Sequence, residues 1–236
     1  MARPRMVLEC QCNCFRPCIA GPAFEHRALA LLTKHMSMSL TRVGGSHDGG
    51  VDLIGWWWIS SAQKLRVLAQ CKAEKRRVGP AYLRELEGVV YRHAASVPSA
   101  PSTPNGSPPS PPPVALLVSE SAFTRNCLLA AYASPLPFLL VHLPPNASLT
   151  AGDNDDDGSS SSSHNGGDSA AGALGAIFGN PALVSARGLL GGHLEFRWER
   201  GSGDDHPGLW WRGRPLPSWT PDGEPQSDAA AVLDRR

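Results

Sequence analysis

Asp52, Gln70 and Lys72 are the residues of this chain whose types and spacing could do chemistry. Gln70 and Lys72 flank Cys71 and follow Asp52 by 18 and 20 residues. On an extended strand, side chains at i and i+2 project from one face. The amide and the amine therefore point one way, and the Cys71 thiol points the other, into the core as a small hydrophobe. Asp52 is delivered by a glycine-rich turn, in the run GGSHDGGVDLIGWWW at 44–58. An acid, an amide oxygen and an amine gathered at a strand end make a small site for metal-assisted hydrolysis. Asp48, in the same turn, is a weaker candidate for metal binding or for shaping the loop.

The elements that must position these groups follow from pattern. Residues 51–58 and 65–72 read as two strands, with a connection of 59–64 short enough for an antiparallel hairpin. With a turn centred near Ser61 and Ala62, paired residue numbers sum to about 123, which sets Asp52 opposite Cys71 or one residue to either side. A sum one lower or one higher puts it directly across from Gln70 or Lys72.

Around the hairpin, 23–36 reads as a helix with Phe24, Leu29, Leu32 and Met36 near one stripe and Glu25 in its first turn. Residues 39–43 read as a short strand. Residues 80–95 read as a helix opening on a proline, 114–118 as a buried strand, 121–133 as a helix capped at Ser121 or a neighbour, and 137–143 as another strand. The order α-β-β-β-α-β-α-β is a three-layer α/β pattern with a mixed central sheet flanked by helices.

Two inserts interrupt it. Residues 96–113 carry eight prolines and are expected to be disordered or extended. Residues 146–172 form an acidic Ser/Gly-rich linker; Asp153, Asp155, Asp156 and Asp157 lack the Gly-then-Glu completion of a calcium loop. The remaining divisions are a leader at 1–22, a core at 23–145, an addition to the core at 173–200 with an edge strand at 189–198, and an irregular tail at 201–236.

The net charge of +1 hides an asymmetry. Residues 1–95 carry 14 Lys/Arg against 7 Asp/Glu, whereas 96–236 carry 8 against 14. A basic half around a hydrolytic site fits an anionic substrate, with Lys75, Arg76, Arg77, Arg84 and Arg92 as phosphate contacts. No stretch approaches the roughly 20 apolar residues of a membrane helix, and no secretory signal is visible. Residues 1–22 weakly resemble an organelle transit segment. Cys10, Cys12, Cys14 and Cys18 lack zinc-ribbon spacing and read as incidental thiols of a leader, against a metal or redox knot. The cysteine pattern suits a reducing compartment. Trp56–Trp58 alternate between core and surface, base stacking being the functional alternative for the outward rings.

The D-G-G-V-D run from Asp48 to Asp52, the Q-C-K at 70–72, the R-E-L-E-G at 84–88, the helix bearing Glu25 and the run VALLVSESAFTRNCLLAA at 114–131 together resemble the Mrr-like branch of the restriction-endonuclease-like, PD-(D/E)xK, nucleases. More narrowly, the segment is similar to the fungal mitochondrial "required for respiratory growth" proteins. The resemblance implies a magnesium- or manganese-dependent endodeoxyribonuclease acting on DNA in the mitochondrion, and it leaves a homodimer open. It implies Asp52, Gln70 and Glu25 as metal ligands and Lys72 as the group that orients the attacking water or meets charge on the phosphate. Gln70 stands where many members carry a second acid. The competing classes are a catalytically silent nucleic-acid binder and an organellar assembly factor on the same fold.

Overall fold

The computed structural model describes residues 17–43, 49–96, 111–145, 174–199 and 206–216. Residues 97–110 of the first insert, the whole of the second, Asp48, Cys10, Cys12, Cys14 and Trp219 lie outside the described residues. The chain runs α1 (Pro17–Met36), β1 (Met38–Arg42), β2 (Leu53–Ser60), β3 (Gln63–Lys72), α2 (Pro80–Ser96), β4 (Val114–Ser119), α3 (Arg125–Ala133), β5 (Phe138–His142), β6 (Ala176–Gly179), α4 (Pro181–Val184), β7 (Leu194–Glu199), β8 (His206–Trp211) and β9 (Arg214–Pro215).

Strands β1 to β6 form one six-stranded sheet in sequential order. The β1-β2-β3 meander is antiparallel, β3-β4 and β4-β5 are parallel, and β6 closes the far edge antiparallel. The parallel connections must cross over, and α2 and α3 are those crossovers, packed on one face. Their side of the core holds Leu68, Leu83, Leu86, Val89, Leu117, Ala131 and Leu140. The opposite face carries α1, whose Phe24, Ala28, Leu31, Leu32 and Met36 pack on Leu53, Trp57, Val67 and Leu116. The buried strands β4 and β5 are apolar on both faces, as a strand between two helical layers must be. This is the three-layer α/β architecture that the element order predicts, and it agrees with the restriction-endonuclease-like core that the resemblance implies.

Four expectations are corrected. Helix α1 begins at Pro17 rather than 23 and continues through Pro22, so Glu25 sits in mid-helix, away from the helix dipole. Its buried stripe uses Ala28 and Leu31 where Leu29 was expected, because 3.6-residue periodicity fixes the face only to within one position. The cap of α3 is Thr124, whose hydroxyl accepts from the Cys127 amide at 3.2 Å; Phe123 just before it bridges to Val78 instead. Residues 194–199 do not edge the main sheet. They pair with β8, and β8 with β9, in a separate three-stranded sheet, so the 201–236 tail is not irregular throughout. Leu194 and Leu209 of that sheet pack into the α1-side core, and this burial is what holds the segment.

At Gly55, β1 leaves no room beside β2 for a side chain. Gly55 pairs with Leu40 and Val67, and a Cβ there would run into the Ser39 carbonyl oxygen and lie 2.8 Å from Leu40 Cα. Backbone is on the other side of that contact, so no rotamer change relieves it. Gly55→Ala is expected to cost about 2 kcal/mol or more and to lower Tm by roughly 4–8 °C. A thermal melt checks this; an unchanged Tm would show that β1 shifts freely.

Candidate functional site

The site is built at the end of the β2-β3 hairpin. Gly49 and Gly50 turn the chain with φ of +66° and +87°, a region costly for residues bearing a Cβ. The ladder pairs Leu53 with Ala69 and Ile54 with Leu68, and Asp52 stands just before it, at the Ala69–Cys71 end of β3. The Asp52 amide donates to the Ala69 carbonyl at 2.9 Å, and its carboxylate Oδ2 accepts from the Cys71 amide at 2.6 Å. The carboxylate is thereby held over the backbone between Gln70 and Lys72.

Gln70 is 3% exposed, and its Nε2 donates to Glu85 Oε1 at 2.9 Å. Its Oε1 is buried and has no hydrogen-bond partner among the described residues. An unpaired buried acceptor costs about 1–3 kcal/mol, and such a group calls for an explanation. Lys72 Nζ lies 3.9 Å from Glu85 Oε2 and 4.7 Å from the centre of the Tyr82 ring. The Tyr82 hydroxyl donates to Glu74 Oε1, and the Ser121 hydroxyl donates to the Glu74 carbonyl. The bond from Tyr82 to the Glu74 carboxylate, more than burial, raises the Tyr82 pKa. Helix α2 thus supplies two residues the sequence reading passed over. Glu85 bridges Gln70 and Lys72, and Tyr82 seats the ammonium. They stand three apart, on one side of a helix, and that spacing was the available signal.

Glu25 comes from the other layer. Its carboxylate accepts from Arg42 Nε of β1 in an ion pair. Its charge nonetheless reaches the hairpin end. The Cys71 thiol is pushed well above its ordinary value, first by burial, then by the negative charges of Asp52 and Glu25, with Lys72 opposing. Among the described residues no three His, Cys, Asp or Glu side chains cluster as a metal-binding group. The oxygen donors present are still of the hard type that magnesium takes, and magnesium needs only one or two carboxylates. The buried Gln70 Oε1 fits such an ion.

Of the basic residues, Lys75, Arg76, Arg77 and Arg84 are exposed, in the loop after β3 and on α2. Arg92, also exposed, donates to the Gly49 carbonyl at 3.2 Å and ties the Asp52 turn to α2.

Thiol chemistry provides a check on this packing. Burial raises the Cys127 thiol from 9.0 to about 11. Both Cys71 and Cys127 are therefore neutral thiols in the folded protein and are expected to resist iodoacetamide at pH 8, read by peptide mass mapping. The unfolded thiol ionises first, so the Cys127 contribution to stability is complete below pH 9.0 and is lost as the pH rises toward about 11. Rapid alkylation of Cys71 at pH 8 would mean that the hairpin end is open.

Comparison with known proteins bears on this site. Residues 19–97 match a family model described as a restriction endonuclease, so this segment is a restriction-endonuclease-like domain. An uncharacterised mitochondrial protein of Schizosaccharomyces pombe is 41% identical over 70 residues, a stretch that spans 29% of this chain and 28% of that protein. No solved structure matches the chain. Among the described residues, no helix is long and apolar enough to cross a membrane.

Proposed function

We propose that this chain is a metal-dependent endonuclease acting on DNA, working in the mitochondrion in maintenance of the organelle's genome. The observation that carries the proposal is the buried Gln70 Oε1 without a hydrogen-bond partner, set beside the Asp52 carboxylate at the hairpin end. Asp52 and Gln70, with Glu25 as the second carboxylate, would hold magnesium or manganese. When bound, the ion polarises a phosphoryl oxygen and makes bound water acidic.

The chain's own residues do the rest. Glu85 takes the Gln70 NH₂ group, which leaves the oxygen of that planar amide to face away from Glu85 as a ligand. Tyr82 and Glu85 hold the Lys72 ammonium beside it, where it orients water or meets the charge that grows on the phosphate. Lys75, Arg76, Arg77 and Arg84 contact phosphates, and Arg92 steadies the Asp52 turn. The mitochondrial location rests on the Schizosaccharomyces pombe relative and on the composition of the first residues.

A second reading has its own observation. The ion pair between Glu25 and Arg42 occupies the second carboxylate, as in a nuclease fold that binds without cutting. Purified protein incubated with labelled duplex and single-stranded DNA in magnesium, manganese or EDTA separates the two. Cleavage in metal and none in EDTA is expected. Silence in both metals with a retained gel shift would transfer the protein to the non-catalytic class.

Binding itself is expected to weaken steeply with salt, and neutralising Lys75, Arg76 and Arg77 together is expected to flatten the log–log slope on duplex DNA by about 2–3. A slope already near zero in the parent would rule out phosphate contact as the binding mode.

A further inference from the structure

The face of the sheet that carries Gln70 and Lys72 has a second end. Alternation along β3 puts Lys64, Arg66, Leu68, Gln70 and Lys72 on one side, since Leu65, Val67 and Ala69 pack toward α1. Leu68 is buried in the layer under α2 and separates the two ends. At the far end, Trp56 and Trp58 of β2 stand across from Arg66 and Lys64. Both indoles are only partly buried, while Trp57 between them is fully buried in the α1-side core.

The cations are arranged on the rings. Lys64 Nζ lies 4.5 Å from the Trp56 centroid and 5.1 Å from that of Trp58, and the Arg66 guanidinium lies 5.2 Å from Trp56. Among the described residues, none of the ion pairs uses Lys64 or Arg66. Two cations without a carboxylate partner call for an anionic occupant, and two neighbouring partly open indoles call for flat apolar groups. An acidic peptide satisfies the first condition only. A nucleic-acid strand with accessible bases satisfies both, because Lys64 and Arg66 can swing from the ring faces they cover to phosphates while bases take their place on the rings. Paired bases in a duplex keep their faces hidden.

We infer that the Trp56–Trp58–Lys64–Arg66 face is an accessory site for single-stranded nucleic acid, separate from the hydrolytic end of the same strand. The inference rests on the proposed nucleic-acid substrate. Arg66 and Gln70 are four residues apart on β3, roughly 13 Å at about 3.3 Å per residue, so one strand reaches both ends. The accessory face would hold an unpaired segment while the hydrolytic end meets the backbone near it.

The test uses the 236-residue chain and a fluorescent oligothymidine, with a duplex of equal length and heparin as controls, read by anisotropy over a salt series. The double variant Trp56→Ala/Trp58→Ala is expected to weaken oligothymidine binding at least about tenfold with little change of salt slope, since stacking is worth about 1–3 kcal/mol per base. Duplex and heparin binding should be nearly unaffected. Trp56→Phe/Trp58→Phe should restore most of the loss. Lys64→Gln/Arg66→Gln, which leaves the rings in place and carries the test should the alanine variant not fold, is expected to reduce the single-strand slope by about 1.4. Parent-like oligothymidine binding in both the phenylalanine and glutamine variants together with the alanine variant overturns the inference, as does an equal loss of duplex and heparin binding. Plasmid cleavage in metal, measured on the same preparations, reports on the hydrolytic end independently. Cleavage with unaltered oligothymidine binding sinks the accessory site alone, and absent cleavage with the predicted binding losses sinks the endonuclease reading alone.

Discussion

Asp52→Asn is expected to lower plasmid cleavage by about 10³-fold or more while leaving duplex binding within a fewfold of the parent. The carboxylate is the one acid whose position is set by the hairpin itself, through the 2.6 Å bond from the Cys71 amide to Oδ2. An amide keeps that acceptor and the local fold but removes the negative charge that a divalent ion requires. Lys72→Ala is expected to cost about 10²–10³ in rate and to act late, because charge builds on the phosphate only as the bond breaks. Ground-state binding should survive it. Single-turnover rates at saturating enzyme, with gel shifts in parallel, measure both; a variant that loses binding and cleavage equally would place the residue in the binding surface instead.

Gln70→Glu extends the same experiment. The structure sets the new carboxylate against Glu85, whose Oε1 is 2.9 Å from the Gln70 nitrogen. Without metal the two acids repel, and a divalent ion held by the outward oxygen of residue 70 and by Asp52 would offset that repulsion. The variant is therefore expected to stay active and to show a Tm that rises more on adding magnesium than the parent's does. A Tm indifferent to magnesium in both proteins would argue against Gln70 as a ligand.

The largest stability effect is expected at Asn180, far from the site. It is fully buried. Its Oδ1 accepts from the Phe138 and Leu183 amides at 2.9 and 3.1 Å, which caps α4. Its Nδ2 donates to the carbonyls of Ala131, Ser134 and Leu136 at 2.9, 3.2 and 2.8 Å. One side chain so closes α3, starts β5 and starts α4. Asn180→Ala strands two buried amides and up to three carbonyls, each costing about 1–3 kcal/mol before water relieves some of them. A loss of about 4 kcal/mol and a Tm lower by roughly 8–16 °C are expected. Asn180→Asp keeps the acceptor but turns an oxygen toward three carbonyls, so it should do no better at neutral pH. Denaturant unfolding followed by circular dichroism measures both. Parent-like midpoints would mean that the α3–β5 corner is held by packing alone.

Local pattern was enough to place the hairpin. Period-two alternation and a turn centred near Ser61 and Ala62 put Asp52 opposite Cys71, give or take one residue, because strand register follows from turn length and the apolar face. The same arithmetic told Cys71 from its neighbours. The crossover helices were legible for a related reason, since each has its own apolar stripe and a proline or hydroxyl at its start. Asn180 and Pro181 start α4 as cap and first helical residue, a local pattern the sequence reading passed over. It could not reveal that the same Asn180 amide also ties up α3, because those carbonyls come from residues 44–49 positions away.

Tertiary packing decided everything that depends on which side chain meets which across elements. Glu85 reaches Gln70 only because α2 docks over β3 at one depth and rotation. Glu25 meets Arg42 only because β1 lies under mid-helix α1. The three-stranded sheet of 194–215 was invisible because its short strands alternate weakly, and its place is set by burial of Leu194 and Leu209 against α1. Periodicity reports the face a residue takes relative to its own element; the distance from that face to another element's side chain is a property of the packed layers, whose geometry is set by the sum of many contacts spread along the chain.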